Sequence, residues 1–349
     1  MKNWKIILSL LFLGTASVLF LNGKEKSIAQ ERLPKQSLKI GVSLYRADDE
    51  FISAVSHSLE EESVKQADRF SQKMQLKIVD AKNSQTIQNT QIDEFIRQSY
   101  DVIAVNIVDR TVASSLIDKA KQADIPIIFF NREPIPTDLK QWRKAYYIGS
   151  KAQEAGEMQG QIVWQSFQAQ PATIDHNQDG KIQYVMLEGE EVHQDSLIRT
   201  ESSIQAIVDE GIEVERLARG VGNWMRQPAK EFLRQWLGKY PQQIELVISN
   251  NDEMALGALE AIRDAKLAYE PKVVGIDGTK EGLEAVNDGR MLGTIINDYQ
   301  AYAQALLTLA YVTSQGHRIE AYLPDYTNQY VWVSHQIYLR ETNERDTKE

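Results

Sequence analysis

The chain predicts an α/β fold built as two doubly wound parallel-sheet lobes. Three observations carry that prediction. β-branched, apolar runs recur from residue 38 to residue 338, and most are separated by segments whose apolar residues repeat at helical spacing. Strand–helix repetition of this length implies parallel sheets covered on both faces. The units, roughly ten in number, are too many for one small open sheet. An eightfold barrel would accommodate most of them. The early strands, however, run without a gap before a long loop resets the pattern, which favours two lobes with a crossing near Ser150.

The strands expected in the first half are LKIGVSLY (38–45), QLKIVDA (75–81), VIAVNIV (102–108), IPIIFFN (125–131) and AYYIGS (145–150). The series continues with IQYVMLEG (182–189), EVERLAR (213–219), IELVISN (244–250), KVVGID (272–277), LGTIIN (292–297) and YVWVSHQIY (330–338). Helical periodicity lies between them, as in FISAVSHSLEEESVKQADRF, DEMALGALEAIRDA and YAQALLTLAYVTSQG. The closing RETNERDTKE is a charged tail expected to fray.

Bulk composition narrows the function. At 42% hydrophobic and 25% charged residues the chain is an ordinary folded protein. A formal charge of −10, with no Lys/Arg cluster, argues against a nucleic-acid partner, because phosphate backbones repel such a surface. The start is different. MKNWK is basic and Ile6–Leu21 is uncharged and apolar, about right for the core of an export signal and short for a membrane span. A small-x-small site ends at Ala29, so residues 1–29 read as a signal peptide or, uncut, as a membrane anchor. With no cysteine there is neither a lipoprotein anchor nor a disulfide framework. The expected location is the periplasm or the outer face of the cytoplasmic membrane.

Ligands of open parallel sheets bind beyond the carboxyl ends of the strands. There the chain places Asp49 and Phe51, then Asn131, then His193, Asp195 and Arg199, then Trp224, then Asn251, Asp277 and Asn297. Planar amides, carboxylates and a guanidinium can bracket vicinal hydroxyls, and aromatic faces can stack on the C–H faces of a pyranose. A neutral polyol is the ligand such a set describes. Asn and Asp after strands also serve as turn formers and helix caps. Capping alone, however, does not call for Trp, His and Arg at the same sheet ends. A glycosidase using Asp49 with Asp277 or Asp195 is the enzymatic alternative. The amide- and Arg-rich surroundings favour ionised, hydrogen-bonding carboxylates and no catalysis.

One stretch raises a separate question. DHNQDGKIQ (175–183) has Asp175, Asn177 and Asp179 at alternate positions and Gly180 at the sixth, like the start of a calcium loop. Position twelve, where a Glu would close such a loop, is Met186. Either this is no calcium site or the missing carboxylate comes from elsewhere.

The motifs YRADDEF, IIFFNREP, AYYIG, GEEVHQDSLIRT, VISNNDEMALGALEA, VVGIDG and GTIIND together resemble those of the galactose/glucose-binding periplasmic proteins, receptors of a sugar ABC importer. The similarity runs from about Leu38 to the last strand and implies the type I periplasmic-binding-protein fold. By that resemblance Asp49 meets the hydroxyl that separates glucose from galactose, and Phe51 and Trp224 sandwich the ring. Asn131, His193, Asp195, Arg199, Asn251, Asp277 and Asn297 complete the hydrogen-bonding set. The resemblance also implies a structural calcium ion. It would be held by the side chains of Asp175, Asn177, Asp179 and Gln183, the carbonyl of Lys181, and Glu245 from a distant strand.

The implied lobes are 37–150 with 298–332, and 151–297 with 333–343, joined by a three-segment hinge near Ser150, near Asn297 and within YVWVSHQIY. The implied function is capture of a monosaccharide (D-galactose, D-glucose or a methyl galactoside) by a monomer that delivers it to an ABC permease. A tethered form signalling to a chemoreceptor or sensor kinase is the alternative output.

Overall fold

A computed structural model describes residues 37–340. The expected leader, and the charged tail after Arg340, lie outside the described residues. The chain first lays down β1 (Ser37–Leu44), α1 (Glu50–Phe70), β2 (Lys73–Asp80), α2 (Gln85–Arg97) and β3 (Val102–Val105). It continues with α3 (Ala113–Gln122), β4 (Ile127–Phe130), α4 (Pro136–Leu139) and β5 (Ala145–Gly149). A second series follows: α5 (Ala152–Ala169), β6 (Lys181–Glu188), α6 (Gln194–Asp209), β7 (Glu213–Val221) and α7 (Arg226–Lys239). It goes on through β8 (Leu246–Ser249), α8 (Asp252–Ala265), β9 (Lys272–Val274), α9 (Lys280–Asn287) and β10 (Thr294–Asn297). Last come α10 (Tyr299–Gln315), β11 (Tyr326–Thr327), β12 (Tyr330–Trp332) and β13 (His335–Tyr338).

The strands form two separate sheets, as the alternation predicts. The first has the order β11-β12-β5-β4-β3-β1-β2 and is parallel except for β11. The second has the parallel order β7-β6-β8-β9. Bridges from Val274 to Gly293 and from Asp277 to Ile296 lay β10 beside it, and β13 pairs antiparallel with β10. The chain therefore passes between the sheets three times: between β5 and α5, between β10 and α10, and between β12 and β13.

Each sheet is covered on both faces, which is why its strands read as unbroken apolar runs. In β3, Val102 and Ala104 face one core and Ile103 and Val105 the other. In β8, Val247 joins one cluster while Leu246 and Ile248 join the opposite one. Two expected strands are modified. YVWVSHQIY is broken at Val333 and Ser334: Trp332 still pairs with Gly149 of the first sheet, whereas His335 pairs with Asn297. KVVGID ends as a strand at Val274, and Asp277 takes a left-handed φ of 127°. Among the described residues, no helix is long and apolar enough to cross a membrane.

Candidate ligand site

One cavity lies where the carboxyl ends of the two sheets meet. Asp49, Phe51, Asn131, His193, Asp195, Arg199, Trp224, Asn251, Asp277 and Asn297 all line it, together with Tyr45, Ile52 and Arg132. The space is tight, about 30 Å³. It is a slot for one small molecule, with no room for a polymer. Towards solvent the cleft widens into a groove of about 1120 Å³ that shares Arg132 and His193 with the slot.

Capping and site formation turn out to be compatible. Asp49 is the N-cap of α1: its Oδ1 accepts from the N–H of Ile52 at 3.0 Å, while Oδ2 accepts from the Tyr45 hydroxyl at 2.5 Å. His193 caps α6, its Nδ1 accepting from the N–H of Asp195 at 3.2 Å. That bond leaves the ring proton on Nε2. Asn251 caps α8 through Met254 at 3.0 Å, and its Nδ2 donates to the Trp224 carbonyl at 3.2 Å. Three helix N-termini thus open on the slot, each through a residue that also lines it.

Three of the lining residues have left-handed backbone. Asn131, Trp224 and Asp277 all hold positive φ, at 61°, 65° and 127°. For non-glycine residues such conformations persist only where the surroundings enforce them, and they gather at ligand sites. Asn131 is fixed by its N–H to the Ile148 carbonyl and by Asn106, whose Nδ2 donates to Asn131 Oδ1 at 3.1 Å. The Trp224 indole lies against Gly189, where any Cβ would come within 2.1 Å of the ring, and meets His193 edge-on at 5.2 Å. On the other wall Phe51 is buried edge-to-face on Tyr302 at 5.6 Å. Tyr302 in turn shares Ser150 with Asn297, tying two of the crossings together at 2.8 and 2.9 Å.

Arg199 is the electrostatic centre of the second wall. Its Nη1 donates to the Asn250 carbonyl at 3.1 Å, and its Nη groups stand 3.7 Å from Asp195 and 3.8 Å from Asp277. Its buried Nε has no protein acceptor. Burial pushes Asp195 up to about 6 and Asp277 well above the usual carboxylate range, against the pull of Arg199. Burial also drives His193 well below its ordinary value, so the ring is neutral. Composition had favoured carboxylates that are all ionised. Desolvation weakens that expectation for Asp195 and Asp277, because a buried charge needs more than one partner to repay lost hydration.

Three lining residues lie outside the expected set: Tyr45, Ile52 and Arg132. The guanidinium of Arg132 lies 3.6 Å from the centroid of the Tyr45 ring and pairs with Glu190 at 2.8 Å. Tyr45 ends the run LKIGVSLY, and Arg132 directly follows Asn131. Their adjacency to Asp49 and Asn131 was the available signal.

Away from the cleft, residues 175–183 form a loop tied to Glu245. One carboxylate oxygen of Glu245 accepts from the N–H groups of His176 (2.7 Å) and Asn177 (3.1 Å), and the other from that of Gln183 (3.0 Å). Asn177, Asp179 and Gln183 hydrogen-bond one another through their side chains. Asp175 is buried, with Oδ2 accepting from the Gly180 N–H and Oδ1 without a partner. His176 is exposed and stacks on Tyr269 at 3.8 Å. Among the described residues, no three His, Cys, Asp or Glu side chains stand together as a metal cluster. The expected donor set contains only three such residues, and its other oxygens come from amides and a carbonyl. The orphaned, buried Asp175 oxygen beside Glu245, together with this oxygen-rich donor set, fits a hard divalent cation.

Two covered parallel sheets, joined by three crossings and closed on a polar slot with aromatic walls, define a receptor that engulfs a small ligand. The chain belongs to the periplasmic binding protein family: the profile of the periplasmic binding protein domain matches residues 40–318. It is 36% identical over 281 residues to the D-galactose/methyl-galactoside binding periplasmic protein of Haemophilus influenzae, covering 80% of this chain and 82% of the relative. The ribose import binding protein of Bacillus subtilis is 25% identical over 262 residues, covering 75% of this chain and 76% of the relative. Among solved structures, an ABC transporter solute binding protein from Bacillus halodurans with bound myo-inositol superposes with a TM-score of 0.73. It is 25% identical, and the match covers 88% of this chain and 97% of that one.

Proposed function

We propose that the protein is an extracytoplasmic receptor that clamps a glucose- or galactose-type monosaccharide between its lobes and presents it to an ABC permease. One observation carries this reading. Side chains from seven separate strand ends, drawn from both sheets, converge on a single slot that admits only a small molecule. Phe51 and Trp224 supply the ring faces, and Asp49, Asn131, His193, Asp195, Arg199, Asn251, Asp277 and Asn297 supply the hydroxyl partners. The 36%-identical relative named for D-galactose and methyl galactoside supports that choice of sugar.

The protein performs no chemistry on the ligand. The lobes, 37–150 with 298–332 and 151–297 with 333–343, rotate about the three crossings and close on the sugar. Binding is a population shift, since contacts from both walls exist together only in the closed form. Asp195 and Asp277 gain hydroxyl donors on closing, which offsets part of the desolvation that raises them. A calcium ion would be held by Asp175, Asn177, Asp179, the Lys181 carbonyl, Gln183 and Glu245. When bound it supplies charge neutralisation and links the loop to β8, whose entry carries Glu245, a staple in a chain without cysteine. Residues 1–29 direct export, and the receptor works as a monomer.

Calorimetry of the purified protein against a panel of hexoses, pentoses, polyols and methyl galactosides tests the proposal. Saturable one-to-one binding of D-galactose or D-glucose is expected. Binding confined to pentoses or polyols, or release of sugar from a galactoside, overturns it.

A further inference from the structure

The segment Asn250-Asn251-Asp252 joins β8 to α8 and is buried throughout, with Asn250 and Asp252 fully so. Only Asn251 lines the slot. Its two neighbours face away from the slot and hold the segments that carry the rest of that wall.

Asn250 Oδ1 accepts from the N–H of Gly189 (3.1 Å) and from the hydroxyls of Ser196 and Thr200 (3.2 Å each), and its backbone carbonyl accepts from Arg199. It therefore fixes residues 189–200, the stretch that bears His193, Asp195 and Arg199. Asp252 acts on the opposite side. Its Oδ2 accepts from the Thr279 N–H at 2.9 Å and its Oδ1 from the Thr294 hydroxyl at 2.7 Å, and the Gly278 N–H also donates to it. Those donors flank Asp277, with its left-handed backbone, and open the strand that ends at Asn297.

A carboxylate inside a protein core is costly to desolvate, even where, as here, the Gly278 and Thr279 N–H groups and the Thr294 hydroxyl donate to it. The surrounding sequence makes room for it nevertheless. A Cβ on Gly275 or on Gly282 would come within 2.2 Å of an Asp252 carboxylate oxygen, so both positions exclude larger residues.

We infer that Asn250 and Asp252 are positioning residues: without touching ligand, they set the spacing between the 189–200 segment, Asn251 and the 277–297 segment, and so set affinity. The inference rests on the slot being the sugar site. Asp252→Asn leaves one acceptor for the Gly278 and Thr279 N–H groups and forces the Thr294 hydroxyl to turn and accept from the new amide, so the 277–279 turn should shift. In calorimetry with D-galactose at 15 °C, affinity should fall on the order of tenfold. The loss should be strongly non-additive with Asp277→Asn and additive with Asn131→Ala on the other wall. If Asp252→Asn does not fold, Thr294→Val serves, with Thr294→Ser expected to restore binding.

A second arm needs no sugar. Amide hydrogen exchange of the ligand-free protein should quicken at Gly278, Thr279 and Asn297 in Asp252→Asn or Thr294→Val, and at Gly189 in Asn250→Ala. Unchanged exchange at those amides overturns the inference. So does unchanged D-galactose affinity in the variants, or a loss additive with Asp277→Asn. A wild type that binds no monosaccharide overturns the sugar reading instead, and the exchange arm still decides the positioning.

Discussion

The guanidinium of Arg132 stands 2.8 Å from the carboxylate of Glu190, and the two side chains, both buried, come from opposite sheets. Arg132 follows β4 and Glu190 follows β6. The pair sits where the slot meets the outer groove, so in the proposed hinge motion it spans the mouth that parts. Its arginine also lies flat on Tyr45, which holds Asp49. A contact available only in the closed form favours closure by its full strength. Removing one partner of a buried charge pair costs on the order of 2 kcal/mol or more, which is about thirtyfold or more in sugar affinity. Glu190→Gln is expected to show this chiefly as faster sugar release in stopped-flow fluorescence. An unchanged release rate would refute the latch.

Trp224 forms one wall of the slot and occupies a strained backbone position beside Gly189. Buried aromatic anchors carry a large share of binding energy. Trp224→Ala should weaken monosaccharide binding roughly thirtyfold or more, while Trp224→Phe, which keeps a stacking face, should lose less. Calorimetry below the melting temperature of each variant separates this from loss of fold. Equal affinity for the wild type and the alanine variant would count against the stacking role.

The architecture was readable because doubly covered parallel strands leave little choice of residue. Runs such as IIFF (127–130) and VIAV (102–105) are apolar at every position. The lining of the slot was readable for a related reason: Asn131 directly follows β4, Asp49, Asn251 and Asp277 lie within a few residues of a strand end, and strand ends in such sheets face ligand. Arg132–Glu190 was hidden, since two surface-like charges become a buried pair only once the lobes are brought together. The second role of Asp252 was equally invisible. A local reading makes it the first residue of a helix, and only the fold shows Thr279 and Thr294 converging on its carboxylate. The break of YVWVSHQIY into two strands likewise depends on which partner strand each half meets.

Glu245 receives three backbone N–H groups from the 175–183 segment and lies beside the unpartnered Asp175 oxygen. If calcium staples this loop, a chelator should lower the melting temperature of the wild type by on the order of 5 °C, the effect of a ligand present well above its Kd. Glu245→Gln should melt near the chelated wild type and respond little to chelator, because it loses one of three anionic donors. The preference between galactose and glucose should stay as it was, since none of these residues lines the slot. A wild-type melting temperature indifferent to chelator would remove the metal from the account.

His335 opens β13 next to Asn297, and neither of its ring nitrogens has a hydrogen-bond partner. Burial, with a smaller contribution from Arg199, pushes its pKa down to about 3. An unfolded histidine takes up a proton near pH 6.5, whereas the folded one resists until about 3. Between those values the unfolded state holds more protons, so the stability tied to this residue is intact above about 6.5 and is lost as pH falls through the window. At pH 5 the loss amounts to roughly 2 kcal/mol, from 1.4 kcal/mol per pH unit below the unfolded pKa. His335→Phe cannot take up that proton and leaves no polar ring atom unpaired. Urea melts at pH 7.5 and pH 5.0 should therefore show the variant losing less stability than the wild type on acidification. Parallel pH profiles for the two proteins would show that His335 is not buried neutral between the crossings.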